Sequence, residues 1–327
     1  MTRLMVVLTA LLALLFSAAL VLGPADIGPV ESLRALVVNN GGALTLVMRE
    51  IRLPRAILAV LIGASLGMAG AAMQGYLRNP LADPGLIGVS GSAAFGAVLS
   101  IQTGVAATVA FALPLSALTG ALVGVFLVLA LAGPRGSSLT LILAGIAISA
   151  MAAALTSLTL NLSPNPFAAS EIVFWMMGSL ADRSMTHVWI AWPLIALGGV
   201  LLASLARGLD ALTLGEDAAE AMGISLKRLR LTLVFGTAAV VGASTAVAGA
   251  IGFIGLVVPH ILRPFVGAKP GQLLWASALG GAIMLLVADI AVRVVLPSRD
   301  LKLGVLTALV GAPLFLHLIY KTRKEGL

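Results

Sequence analysis

Catalysis, metal binding and nucleotide binding each demand particular side chains at particular spacings, and this sequence supplies few of them. Its three histidines, His187, His260 and His317, stand far apart and outside any H-x-x-x-H or carboxylate cluster. A metal site needs three or four converging ligands. Cys is absent, which removes disulfides, thiol nucleophiles and thiolate ligands together. No G-x-x-x-x-G-K-[S/T] segment occurs, so no loop of the usual kind cradles a nucleotide phosphate. The expectation is no catalytic residue, no metal and no cofactor on the chain itself.

The chemistry that remains is electrostatic. The connection from Arg207 to Arg230 is the longest charged one, and in it Gly215 and Gly223 are placed to bracket a short helix. Glu216, Asp217 and Glu220 would sit near its positive amino end, with Ala218, Ala221 and Met222 as a small apolar patch. Such a segment suits an ordinary interfacial helix, and equally an exposed elbow against which a partner docks. Ser137 and Ser138 precede the apolar run from Leu139, where Ser favours helix capping. Arg52, Arg55 and Arg293 flank apolar runs, with Asp289 one helical turn before Arg293. Composition alone reads these arginines as snorkelling membrane anchors.

The elements that must position these residues are membrane helices. Of 327 residues 60% are apolar and 10% charged, against roughly 25% charged in soluble domains. A crossing takes about 20 apolar residues, so the chain has room for about ten. Expected spans are Leu4 to Leu22, Ala56 to Leu77, Leu86 to Ser100, Val105 to Leu131, Leu139 to Leu160, His187 to Leu205, Leu229 to Ala250, Gly255 to Phe265, Leu273 to Leu296 and Leu303 to Tyr320. Many exceed the length of a barrel strand, which predicts an all-α, polytopic chain forming one domain over residues 1–327. The third and eighth are short and suggest shielded or re-entrant helices. Met1-Thr2-Arg3 resembles a signal peptide start, but the following run is long and no small-x-small site follows in Gly23-Pro24-Ala25-Asp26, so the segment reads as a retained first helix. Lys and Arg lie in short groups between apolar runs, which fits membrane flanks and excludes a nucleic-acid face. A cytoplasmic amino terminus puts twelve of these cations inside, Arg135 among them, and eight outside, Arg299 among them.

An internal repeat bears on architecture. Ile62-Gly63-Ala64-Ser65, Ala69-Gly70-Ala71 and Pro80 recur, at one constant offset of 179, as Val241-Gly242-Ala243-Ser244, Ala248-Gly249-Ala250 and Pro259. Five crossings separate the copies, so the second runs opposite to the first. This predicts an inverted repeat with halves at about 50–160 and 229–320, an arrangement typical of transporters. Ionisable residues are scarce away from the span ends, which disfavours an ion-coupled carrier. A membrane-embedded enzyme would need a nucleophile, base or metal constellation, and none is found.

Several motifs together carry a resemblance. Arg52-Leu53-Pro54-Arg55, Asn79-Pro80-Leu81-Ala82-Asp83-Pro84-Gly85-Leu86-Ile87-Gly88-Val89-Ser90, Trp175-Met176-Met177-Gly178-Ser179-Leu180, the run from Gly249 to Arg263, and that from Gly304 to Phe315 resemble, in order, the permeases of iron-chelate, haem and vitamin B12 ABC importers. The resemblance runs from about residue 50 to the carboxyl end. It implies a ten-helix permease, working as a homodimer in the cell inner membrane with both termini cytoplasmic. Two ABC ATPase subunits, which hold ATP and Mg, would stand below and a substrate-binding protein above. The cargo would be an iron-siderophore-type chelate, or else cobalamin or haem. Residues 207–230, centred on Gly215 to Gly223, would contact the ATPase. Ser137 and Ser138 would lie at the cytoplasmic gate, and Gly178-Ser179 would border the path. Arg52, Arg55 and Arg293 would receive acidic side chains from the binding protein, a task for which the planar guanidinium is suited. One departure is Asp300-Leu301-Lys302-Leu303-Gly304, where such permeases usually carry Glu-Leu-Pro-Val-Gly.

Overall fold

A computed structural model describes residues 1–23, 28–38, 41–109, 111–133, 137–295 and 301–325. Pro24 to Asp26, Arg135, Leu296, Arg299 and Asp300 therefore lie outside the described residues. Among the described residues every regular element is a helix. In chain order these are α1 (Thr2–Val21), α2 (Pro29–Val37), α3 (Ala43–Leu46), α4 (Leu53–Leu77), α5 (Val89–Gln102), α6 (Val105–Thr108), α7 (Ala112–Ala132) and α8 (Ser138–Asn161). Then follow α9 (Pro166–Met176), α10 (Met185–Ser204), α11 (Ala206–Leu212), α12 (Glu216–Ala221), α13 (Leu226–Ala248), α14 (Ile254–Leu262), α15 (Pro270–Val295) and α16 (Leu303–Glu325).

Among the described residues seven helices are long and apolar enough to cross a membrane, counting α3 to α4 as one, and α5, α14 and α16 are shorter apolar ones. Each expected span falls on one of these helices. The fourth is not continuous: α6 ends at Thr108 and α7 begins at Ala112, with Phe111 at φ 64° breaking the helix between them. The seventh stops at Ala248 because Gly249 takes φ 71°, a conformation that costs glycine nothing and other residues about 1–2 kcal/mol. Apolar periodicity did not reveal the short helices α2 and α9.

Burial separates a centre from a periphery. The apolar windows of α4 and α13 are 78% buried, against 11% in α1 and 28% in α8. Glycines let the central helices touch backbone to backbone. A Cβ on Gly63 would strike the Gly281 carbonyl, one on Gly281 the Gly63 carbonyl, and one on Gly67 the Ser277 carbonyl. Since 63 meets 281 and 67 meets 277, α4 and α15 run antiparallel. Small-residue contacts of this kind drive helix association where lipid removes the hydrophobic force between helices.

The repeated segments meet each other. Ser65 and Ser244 are 179 residues apart, the repeat offset, and their hydroxyls lie at 3.1 Å. Counterparts meet in this way where a twofold axis relates two copies. Tyr76, at the carboxyl end of α4, has Arg230, at the amino end of α13, as an electrostatic neighbour. The two helices are therefore antiparallel.

Candidate functional sites at the two ends of the bundle

One end gathers the arginines. Arg52 donates from Nη1 to the carbonyls of Leu20 (3.0 Å) and Val21 (2.7 Å). Arg293 donates from Nη1 to Ala19 (2.9 Å) and Leu22 (3.0 Å). These carbonyls end α1 and have no helical partner of their own, and the cations also face the negative pole of its dipole. Asp289, fully buried, accepts from Arg55 Nε at 2.7 Å and lies 3.0 Å from Arg293 Nη2. Arg52 and Arg293 are thus turned inward at 5% and 8% exposure. Arg55 differs: its side chain is 16% exposed, and among the described residues its Nη groups make no other protein hydrogen bond. Of the three expected docking residues, it is the most exposed.

A vestibule of about 620 Å³ opens beside α16, lined by Met176, Met177, Phe253, Val305 and Leu309 among others. Gly178 borders it by accepting from Gly304 N, while Ser179 N donates to Ala248 O at 2.8 Å. Lys302 stands over the Phe174 ring at 5.5 Å. The cation that replaces the usual Pro is accommodated by a cation–π contact with α9.

The opposite end carries the charged elbow. Gly215 (φ 107°) and Gly223 (φ 84°) flank α12 as expected, and its first turn holds Glu216 and Asp217. Glu220 is exposed too. The exposures of the small apolar residues around it differ. Ala219 is the buried alanine, packed inward, while Ala221 and Met222 are exposed, Ala218 is half-buried, and Leu214 (68% exposed) joins Met222 (63%) outside. The elbow is braced from below: Asp210 in α11 accepts from Gly271 N at 2.7 Å, so its carboxylate ties the segment to the start of α15. Arg78 approaches Glu216 at 4.0 Å with both side chains half exposed, a pair worth little by itself.

Ser137 caps α8, accepting from Thr140 N at 3.2 Å. Ser138 is an electrostatic neighbour of Tyr76, as are Glu216 and Arg230. The serines therefore lie at the elbow end. His187 accepts from Ser184 N through Nδ1 at 3.2 Å, closing a capping box at the start of α10. Among the described residues no three of His, Cys, Asp or Glu converge to hold a metal.

Comparison with known proteins matches this arrangement. The chain is 39% identical over 277 residues to the vitamin B12 import system permease protein BtuC of Salmonella typhi, covering 84% of each chain. It is 37% identical over 312 residues to the hemin transport system permease protein HmuU of Yersinia pestis, covering 94% of this chain and 93% of that one. A solved inward-facing structure of a metal-chelate type ABC transporter superposes with a TM-score of 0.86 at 33% identity, covering 98% of this chain and 100% of the other. Residues 11–321 match the FecCD transport family across nearly the whole sequence, and the chain belongs to that family.

Proposed function

We propose that the chain is the membrane-spanning half of an ATP-driven importer that moves a bulky metal chelate inward. It is a permease subunit, and ATP hydrolysis falls to a separate subunit. The observation that carries the reading is the polarity of the bundle. One end presents an exposed, acidic, glycine-bracketed elbow, and the other gathers Arg52, Arg55 and Arg293. We read the elbow, Gly215 to Gly223 with Leu214 and Met222, as the contact for an ATPase. Ser137 and Ser138, beside Tyr76, would form the gate at that end, which would face the cytoplasm together with both termini. In this reading Arg55 carries the docking of a substrate-binding protein, and Arg52 and Arg293 hold the platform from which it reaches out.

The cargo path would run between two copies, with the vestibule beside α16 facing it. An iron-siderophore chelate is the cargo expected from the sequence. The names of the relatives favour a second reading, in which the same machinery carries cobalamin or haem. Identifying the ligand that copurifies with the partner binding protein, then measuring its uptake with and without the ATPase, tests both. Uptake that persists without any ATPase would overturn the importer reading in favour of a carrier. For docking, Arg55→Glu should weaken binding-protein affinity in nanodiscs about tenfold or more and flatten its salt dependence. Unchanged affinity and salt slope would reduce Arg55 to a structural role.

A further inference from the structure

Between α1 and α4 lies a helix of 9 residues, α2, that the transport reading does not use. Pro29 at its first position and Glu31 in its first turn favour its start, since the pyrrolidine ring presets φ and the carboxylate faces the positive pole. Its last carbonyls are held from outside the helix: Arg49 Nη2 donates to Leu36 O at 2.6 Å and to Val37 O at 3.1 Å. At about 13 Å the helix is too short to cross a bilayer. It packs instead against α1 and against the turns Val47–Arg52 that lead into α4.

The side chains of α2 divide into three arcs. Ser32 and Ala35 are buried and Leu36 half-buried, so this face meets the protein. On one flank Val30, Leu33 and Val37 fall within an arc of roughly 60°, at about 100° per residue. They are 80%, 49% and 81% exposed. On the other flank stand Glu31 and Arg34, both exposed. The apolar and charged flanks are thus about 100° apart, one on each side of the packed face. A helix lying in a membrane boundary needs this division, with protein on one side, hydrocarbon on the second and water on the third.

The level of α2 decides what the apolar flank meets. α1 has 20 residues, or about 30 Å, and so just spans a hydrocarbon core of about 30 Å. Its apolar window is only 11% buried, so lipid surrounds it and its carboxyl end marks the membrane boundary. Arg52 holds the carbonyls of that end, Leu20 and Val21, while Arg49, less than one turn earlier, holds the end of α2. The two helix ends are therefore tied to one stretch of chain at the boundary. We propose that α2 is an interfacial helix whose Val30, Leu33 and Val37 enter the acyl chains of the leaflet at the arginine end, with Glu31 and Arg34 among headgroups and water. Nine residues alone would bind a membrane weakly, but α1 and α4 already hold α2 at the surface, so its insertion is intramolecular. Through Arg49, the seated helix fixes the start of α4, and with it Arg55, relative to the bilayer.

The chain has no Cys, so a single introduced cysteine carries a label at one known place. Leu33→Cys, Val37→Cys, Glu31→Cys and Arg34→Cys change exposed positions only, and each full-length variant is nitroxide-labelled and reconstituted into phosphatidylcholine vesicles. Collision with oxygen, which concentrates in acyl chains, is compared with collision with a neutral nickel chelate, which stays in water. The oxygen-to-nickel ratio should be several-fold higher for Leu33→Cys and Val37→Cys than for Glu31→Cys and Arg34→Cys. Equal ratios in all four variants overturn the proposal, because the apolar flank then faces water. Shielding of the Leu33→Cys and Val37→Cys labels from both reagents overturns it too, because a protein surface, a second copy or a soluble partner, then covers the flank. The readout needs neither cargo nor ATPase, so failure here leaves the importer reading standing, and failure of uptake leaves this helix in the membrane boundary.

Discussion

Removing the carboxylate of Asp289 gives the sharpest test of how the arginine end is built. Asp289 is fully buried and faces Arg55 at 2.7 Å and Arg293 at 3.0 Å, with side-chain exposures of 16% and 7%. In Asp289→Ala, Arg293 stays buried without its counter-charge and Arg55 repels it at short range. Deleting one partner of a buried pair costs about 3–5 kcal/mol, because the remaining charge is left uncompensated. Arg293 would still hold Ala19 O and Leu22 O, and these bonds to a charged donor, each worth about 1.5–3 kcal/mol, keep it from leaving. The expected result is therefore a loss near the lower end, about 3 kcal/mol, and a fall of the unfolding midpoint of the order of 10 °C.

Equilibrium unfolding in detergent micelles measures the loss, and a cycle with Arg55→Met apportions it. If Arg55 and Asp289 are coupled as their geometry requires, the double variant should be less destabilised than the sum of the singles by about 1–3 kcal/mol. A loss below about 1 kcal/mol for Asp289→Ala, or additive behaviour in the cycle, would refute the view that this carboxylate is the keystone of the end.

Two other variants follow from the packing and the elbow. Gly63→Val places a branched side chain against the Gly281 carbonyl, where neither backbone can retreat, and should cost at least about 3 kcal/mol in the same unfolding assay. Reversing Glu216 and Asp217 to Lys alters only exposed side chains, so stability should change by less than about 0.5 kcal/mol while uptake falls and stimulation of the partner ATPase is lost. Normal transport with normal stimulation would remove α12 from the coupling path.

Much of this was legible in the sequence because lipid imposes simple rules. Apolar runs mark helices, and Gly215 and Gly223 marked the ends of α12 because both need positive φ there. The repeat was visible at constant offset, but not that its copies meet at Ser65 and Ser244. What stayed hidden were contacts with backbone. Arg52 reaches carbonyls 31 and 32 residues away and Arg293 reaches 271 and 274 away. Every residue has a carbonyl, so such partners leave no trace in residue type. Asp289 was visible as an i,i+4 neighbour of Arg293, but its bond to Arg55, 234 residues distant, was not.

These hidden partners also account for the arginines that run against the charge bias of the chain. The last turn of α1 delivers unpaired carbonyls and a negative pole to one end of the bundle, and α1 is too little buried to be held by packing alone. Arg52 and Arg293 satisfy that demand and need no external partner to explain them. Asp289 then sits beside Arg293, and its second oxygen fixes Arg55 by Nε. A guanidinium held at Nε is fixed in direction and keeps both Nη groups for a further acceptor, which a carboxylate can meet bidentately. The charge available to a partner at this end is accordingly one oriented fork per subunit, aimed by a residue that no partner touches. Asp289→Asn should therefore weaken docking through Arg55 as well as stability, whereas Arg52→Met should loosen α1 and leave the salt dependence of docking unchanged. Docking measured against salt for the two variants separates the aiming residue from the anchoring one, and identical salt slopes in both would show that the fork is not aimed at all.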